Sequence, residues 1–577
     1  MKKKLLPALI VTGLIILVVI IMGITALINK YTPTKKTEDL KEYFNISSDD
    51  EAALIVDNEL SDYKAKIIDK KIYVDYKFVH DSLNSRFYWD ANENVLLYTT
   101  ASDIISAAAD SNSYSVTKQT NDFGYPIVKA TSDSALIALD YVKQYSNITF
   151  KSYDDPARIV ITSKWDEIDS ATVSKSTQVR VKGGIKSPIL KEVKKDDKIT
   201  ILDSGDKWDK IATEDGVIGY IKGKALSESK KTKLTNPDYE EETFTHIKKD
   251  KDICLAWNQV TSQSANSKVP QVISSTKGIN VMSPTWFYLN DNNGNLADIA
   301  SKDYVSYCHS QGIEVWGLFS NFENTDVDAA YVLTHTSTRT TLINQIMSAA
   351  FNYELDGVNI DFENITEAAY GDSYIEFIRE LAIKCHNNGI SLSVDVTVPA
   401  SFNKFFNRSD MANFADYIVI MGYDEHYKGS DAGSVSSIPW VTEGVESTLK
   451  EVPADQIILG MPFYTRIWEL TPKEDDDAVT DTEDQSKYTV ASQVYSMDAA
   501  AAQLATNNAT AALDEKSGQN YAEWSASNKL YKVWLEDSTS LEKRLKLVDD
   551  NKLAGAAFWK LGFENSSVWD TVIKYLN

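Results

Sequence analysis

Cysteine is scarce: Cys254, Cys308 and Cys385 are the only three in 577 residues. None sits in a CxxC or Cys/His spacing, so neither a disulfide framework nor a thiolate metal site is expected, and the three read as buried thiols. Basic charge is short as well. The 83 acidic side chains outnumber 59 basic ones and give a formal charge of −24, which excludes a sequence-independent grip on nucleic acid. Nothing in the chain calls for a metal or cofactor. Apolar residues are not lacking: 43% hydrophobic and 25% charged side chains mark folded rather than disordered protein, and the length asks for two to four domains.

One apolar run is exceptional. Lys2, Lys3 and Lys4 precede Leu5 to Ile28, 24 positions without a charge, which is long enough to cross a bilayer. The run leaves through ITALINK rather than a small-residue A-x-A site, so residues 1–30 are expected to be an uncleaved signal anchor. The lysine-bearing end then lies in the cytoplasm, although Lys30, Lys35 and Lys36 weaken the asymmetry. The remainder is expected outside a cell membrane crossed once.

Residues 42–165 carry short runs of alternating polarity, KIYVDYKFV, RFYWD and VLLYTT, with the period of half-buried strands, and one helical stretch, SDSALIALDYVKQYS. An α+β module fits. Its order of motifs, from ALIVDNEL to ARIVIT, resembles the N-terminal domain of bacterial copper amine oxidases, without implying copper, because His80 stands alone there. In residues 171–227, TQVRV, KITILD, WDKIAT and VIGYI are separated by close turn signals, as in a small all-β barrel. This set is similar to bacterial Src-homology-3-like domains, with Trp208 and Tyr220 either lining a groove or filling the core. Residues 228–245 read as a linker.

From 246 to 577 short apolar runs alternate with amphipathic helical stretches, the mark of parallel strands buried on both faces. Eight strands are expected: DICLAW, GINVMSP, EVWGLFS, DGVNIDFE, SLSVDVTVP, YIVIMGYD, IILGMPFY and GAAFWKLG. The fold class is therefore α/β, a (β/α)8 TIM barrel. Thr465 to Lys552, between strands seven and eight, is too long for a simple crossover and should hold an inserted substructure built on Trp524, Tyr531 and Trp534.

In the fourth strand Asn359, Asp361 and Glu363 follow at i, i+2 and i+4, so they share a face and the last lies nearest the carboxyl end. Burying them in an apolar strand is costly unless they act. The charge of Asp361 would then keep Glu363 protonated, as a general acid must be. DGVNIDFE resembles the DxxDxDxE signature of glycoside hydrolase family 18, through Asp356, Asn359, Asp361 and Glu363. MGYDEH resembles its M-x-Y-D segment, and GAAFWKLG its eighth-strand tryptophan; the closest branch contains the spore-cortex and wall-lytic N-acetylglucosaminidases.

The resemblance implies cleavage of an N-acetylglucosamine-containing polysaccharide, helped by the sugar's own 2-acetamido oxygen; the membrane anchor and the small barrel favour peptidoglycan, with chitin-type oligosaccharide next. It implies Glu363 as proton donor, Asp361 as orienter of the acetamide, Tyr423 as hydrogen-bond donor to it and Trp559 as the floor under the sugar. Asp424, Met421, Tyr464 and Asn359 are implied as further substrate-binding residues. Trp316, with Trp257 and Trp286, is a stacking platform or else core. Asn359 departs from the usual Asp and removes a charge beneath Asp361. The alternatives are a lectin-like wall-glycan binder, which the presence of Glu363 disfavours, and a membrane-anchored scaffold, which leaves the carboxylates unexplained.

Overall fold

A computed structural model describes residues 2–363, 365, 368–473 and 484–576, with side chains from residue 7 onward apart from 368 and 369. The helix Lys2–Tyr31 comes first, and its Pro7–Tyr31 segment is long and apolar enough to cross a membrane. The chain divides into two compact units. One comprises Met1–Trp89, Ala107–Tyr114 and Asp122–Glu241, the other Asp90–Ser106, Ser115–Asn121 and Glu242–Asn577.

The first unit contains two sheets of seven strands each. One is ordered Thr149–Tyr153, Arg158–Thr162, Glu51–Val56, Glu59–Ile68, Lys71–Asp75, Ala135–Ala138, Val128–Ala130. Two sequence expectations are corrected here. KIYVDYKFV is a strand only to Asp75, whose side chain accepts from the Lys77 amide and caps the helix Tyr76–Ser82. SDSALIALDYVKQYS is strand over Ala135–Ala138 and helix only over Leu139–Tyr145. The second sheet includes Thr177–Arg180, Lys198–Asp203, Trp208–Thr213 and Ile218–Lys222, and is extended by Lys230–Lys233, an exposed edge strand inside the stretch expected to be linker. Phe44, Ala53 and Ile55 pack with Val179, Ile199, Ile211 and Ile221, so the two sheets share one core. Trp208 and Tyr220 are half-buried outside it.

The second unit is built on the expected barrel. Its strands are β1 (Ile253–Asn258), β2 (Val281–Leu289), β3 (Glu314–Ser320), β4 (Gly357–Asp361), β5 (Ser391–Thr397), β6 (Tyr417–Met421), β7 (Ile457–Pro462) and β8 (Gly555–Trp559). Each pairs in parallel with its neighbours, and β8 closes on β1. Closure is tight: a Cβ on Gly555 would stand 2.0 Å from the Ile253 carbonyl oxygen, so only glycine fits. Alternate residues face opposite ways. Val358, Ile360, Leu392, Val394, Ile418 and Ile420 face the helices, while Leu255, Trp316, Leu318, Tyr417 and Val419 fill the lumen.

The insertion between β7 and β8 is a five-stranded antiparallel sheet with the helix Met497–Thr506. Trp468 and Leu470 lie in one of its small cores, with Trp534 packed against them; Trp524 and Tyr531 pack against the other. Cys254, Cys308 and Cys385 are free and buried.

Candidate active site

Above the apolar layers the lumen turns polar, and β4 shows why. Asn359 is fully buried and makes four hydrogen bonds. Its Oδ1 accepts from Trp257 Nε1 at 3.0 Å and from Ser283 Oγ at 2.9 Å. Its Nδ2 donates to Ser393 Oγ at 3.1 Å and to Asp395 Oδ1 at 2.7 Å. One amide thus ties β1, β2, β4 and β5 together at the level where a buried polar group must be satisfied. Asp361 follows, buried, and its Oδ1 has no hydrogen-bond partner among the described residues.

Glu363 lies just beyond the strand. Asn321, at the end of β3, grips its main chain on both sides: Glu363 N–H donates to Asn321 Oδ1 at 2.9 Å, and Asn321 Nδ2 donates to the Glu363 carbonyl at 2.8 Å. The Glu363 side chain opens into a cavity of about 300 Å³ that Asp395, Met421, Phe402 and Phe406 also line. Phe402 is strongly exposed there, as a stacking surface would be.

Aromatic rings continue the rim. Trp257 meets Trp559 edge-on at 5.9 Å and Tyr423 at 6.4 Å, and Tyr423 meets Tyr464 at 6.3 Å. Tyr464 donates to Asp424 Oδ1 at 2.5 Å, and Arg466 stands 3.8 Å from the same oxygen.

The electrostatics favour protons on the acids. Burial pushes Asp361 well above the usual carboxylate range, and Asp395, Glu363 and Glu323 add to it. Burial likewise raises Asp395 well above that range, against the hydrogen bond from Asn359. Glu363 is raised first by burial and then by Asp424 and Glu323. Asp361 and Glu363 thus act on each other, and Asp424 and Glu323, from the loops after β6 and β3, add to the burial that raises Glu363. Tyr423, raised by burial and by the nearby Asp361 and Asp395, is a neutral phenol and can only donate to an anionic or carbonyl oxygen.

Eight of the nine residues singled out from the sequence come together at this end: Asn359, Asp361, Glu363, Met421, Tyr423, Asp424, Tyr464 and Trp559. Trp316 does not. It lies low in the lumen opposite Gly357, fully buried, stacked on Tyr417 at 5.6 Å and donating to Glu314. Trp286 and Trp257 are buried too. Asp356 immediately precedes β4, at the opposite end, and accepts from His309 and the Val315 amide. Sequence reasoning passed over Asp395, Asn321, Glu323 and Phe402. Asp395 was detectable by the same parity as Asp361, being an acid at an alternate position of a buried strand.

Residues 324–564 match the family model described as Glycosyl hydrolases family 18. Among curated proteins, the chain is 24% identical over 301 residues to "Uncharacterized glycosylase YvbX" of Bacillus subtilis (strain 168), covering 49% of this chain and 81% of the relative. It is 24% identical over 287 residues to the "Cortical fragment-lytic enzyme" of the same organism, covering 48% of this chain and 63% of the relative. Among solved structures, the Bacillus cereus spore cortex-lytic enzyme SleL aligns at 18% identity over 60% of this chain and 79% of its own, with a TM-score of 0.49. The barrel is a glycosidase domain.

Proposed function

We propose that the protein is a membrane-tethered, extracytoplasmic hydrolase that cuts β-1,4 bonds of N-acetylglucosamine-containing polysaccharide. Peptidoglycan is the first choice of substrate and chitin-type oligosaccharide the second. The observation that carries this reading is the pair of acids at the carboxyl end of β4, Asp361 and Glu363, neither ion-paired with Lys or Arg among the described residues. A raised acid open to a cleft is what protonation of a glycosidic oxygen requires.

The chemistry follows from placement. Glu363 protonates the leaving oxygen and then activates water from the same position. No enzyme nucleophile is needed, because the 2-acetamido oxygen of the bound sugar attacks the anomeric carbon, the route that sets this class apart from two-carboxylate retaining enzymes. Asp361 accepts from the acetamide N–H and offsets the positive charge that grows on it, Tyr423 donates to the acetamide oxygen, and Trp559 supplies the apolar floor. Asp424 and Tyr464 close one side and Met421 another. Wall glycan is favoured by the apolar N-terminal helix, which would hold the enzyme against the envelope, and by the relative named for lysis of cortical fragments.

The test is Glu363→Gln in the full chain. Release of reducing ends from purified peptidoglycan or N-acetylglucosamine oligomers should fall about 10²- to 10⁴-fold while saccharide binding persists. Undiminished turnover in the folded variant would remove Glu363 from its role, and with it the reading.

A further inference from the structure

One buried acid of the lumen has no part in the steps above. Asp395 lies on β5, whose register sets Ser393 opposite Asn359 and Val394 opposite Ile360, so Asp395 is on the next rung beside Asp361. Neighbouring strands run about 4.8 Å apart. Both side chains face the lumen and both are buried.

Asn359 fixes how the two carboxyls are used. The Trp257 indole N–H can only donate, so Asn359 must turn its oxygen toward β1 and β2 and its amide nitrogen toward β5. There Nδ2 occupies Oδ1 of Asp395. An aspartate at 359 would accept equally well from Trp257 and Ser283 but would set a second negative charge against Asp395. The amide at 359 and the acid at 395 therefore belong together: together they move one carboxylate from the middle of β4 to the adjacent strand. The orphaned Oδ1 of Asp361 is the other half of the evidence. A buried carboxylate oxygen without a donor is expensive, and two adjacent buried carboxyls do not both ionise, but a proton held between them answers both difficulties.

We propose that Asp395 is the proton partner of Asp361, the two acids holding one proton between β4 and β5. The proposal rests on the glycosidase reading of the site. When the acetamide N–H reaches Asp361, the O–H bond at Asp361 breaks and one forms at the free oxygen of Asp395. No proton leaves the pair, Asn359 keeps its hydrogen bond to Oδ1, and Asp361 becomes the anion that faces the forming oxazolinium. Asp395 is a positioning residue that acts through Asp361. The groups acting on the pair from surrounding elements are Glu363 at the end of β4, Glu323 after β3, Tyr423 after β6 and Tyr374 of the helix Ala368–His386. The two acids oppose ionisation, and the two phenols are neutral.

The experiment compares the full chain with Asp395→Asn, Asn359→Asp and the double exchange, which returns the carboxylate to β4 with a donor facing it. Two readouts are taken: the pH profile of kcat/KM on N-acetylglucosamine oligomers, and the infrared band of protonated carboxyl at neutral pH. Asp395→Asn should move the acidic limb to higher pH by about one unit or more, because the Asp361 anion loses the O–H of Asp395 that supports it in the singly protonated pair, and lower kcat about tenfold with KM within about twofold. Asn359→Asp should be worse than Asp395→Asn, and the double exchange should recover the wild-type limb and most of kcat. The protonated band should lose one carboxyl in Asp395→Asn.

An unmoved limb with a double exchange no better than the singles overturns the proposal, as does an unchanged band, whatever the activity. A wild type inactive on every oligomer whose band still falls as described would sink the substrate reading and leave the pairing standing. Because the double exchange keeps the hydrogen bond between 359 and 395, it folds even where a single variant does not, and its limb decides the matter alone.

Discussion

The barrel unit buries two groups of acids and treats them in opposite ways. Glu536 receives both Arg544 guanidinium nitrogens, at 2.7 and 2.8 Å, together with Ser540 Oγ at 2.8 Å and Gln519 Nε2 at 2.7 Å. Glu380 meets Arg339 at 2.9 Å, and Glu376 and Asp410 share Arg379. In the lumen, Asp361 and Asp395 have an amide, neutral phenols and each other. Fixed guanidinium partners turn a buried acid into a joint, whereas their absence leaves its proton free to respond to a ligand.

The largest effect should come from breaking a joint. Arg544→Met leaves Glu536 buried with its two remaining neutral donors, and the second unit should lose about 3–5 kcal/mol. Chemical unfolding followed by tryptophan fluorescence reads it. A loss no larger than that of an exposed ion pair would mean that the Arg-paired acids are no more structural than those of the lumen.

Asp361→Asn sharpens the same contrast from the other side. Activity should drop about 10²-fold, yet the folded state should be more stable than wild type at pH 7, by about 1 kcal/mol, as is common where a functional site stores unfavourable interactions. The sign follows from the raised folded-state value. Between the unfolded carboxylate's range and that raised value the native state holds more protons than the unfolded one, so the acid lowers stability as pH rises through the window. The stabilisation by Asn should therefore vanish toward about pH 3, where Asp361 is protonated in both states. Melting curves at the two pH values check it, and an Asn variant that is less stable at both would place Asp361 among the structural acids.

The sequence made the barrel legible because parallel strands buried on both faces leave continuous apolar runs, and all eight expected strands are present. It made Asp361 and Glu363 legible because two acids at alternate positions of such a run have no bland explanation. Other features stayed hidden for physical reasons. Asn321 is a rim residue whose grip on Glu363 exists only across β3 and β4. Asp395 acquires meaning only from the parallel register that sets it beside Asp361. Helix starts inside KIYVDYKFV and SALIALDYV were masked because period-2 and period-3.6 patterns cannot be separated over so few residues.

Tryptophan was the least legible residue, and the smallest prediction concerns it. Trp316 and Trp559 both point into the lumen, from β3 and β8, yet they lie at different heights: Trp559 at the carboxyl end beside Tyr423 and Trp257, Trp316 a full layer lower, stacked on Tyr417. A Cβ on Gly357 would come within 2.5 Å of the Trp316 ring, so glycine at the start of β4 is what admits the indole. Trp316→Phe removes part of that ring and its bond to Glu314 and should lower stability by about 1–3 kcal/mol through a small cavity. Turnover and KM should stay within about twofold, since the ring stacks on Tyr417 and bonds to Glu314 rather than to the acids of the cleft. A clear rise in KM with unchanged stability would make Trp316 a sugar platform after all and would mean that the polar layer of Asn359, Ser283 and Ser393 does not mark the floor of the site.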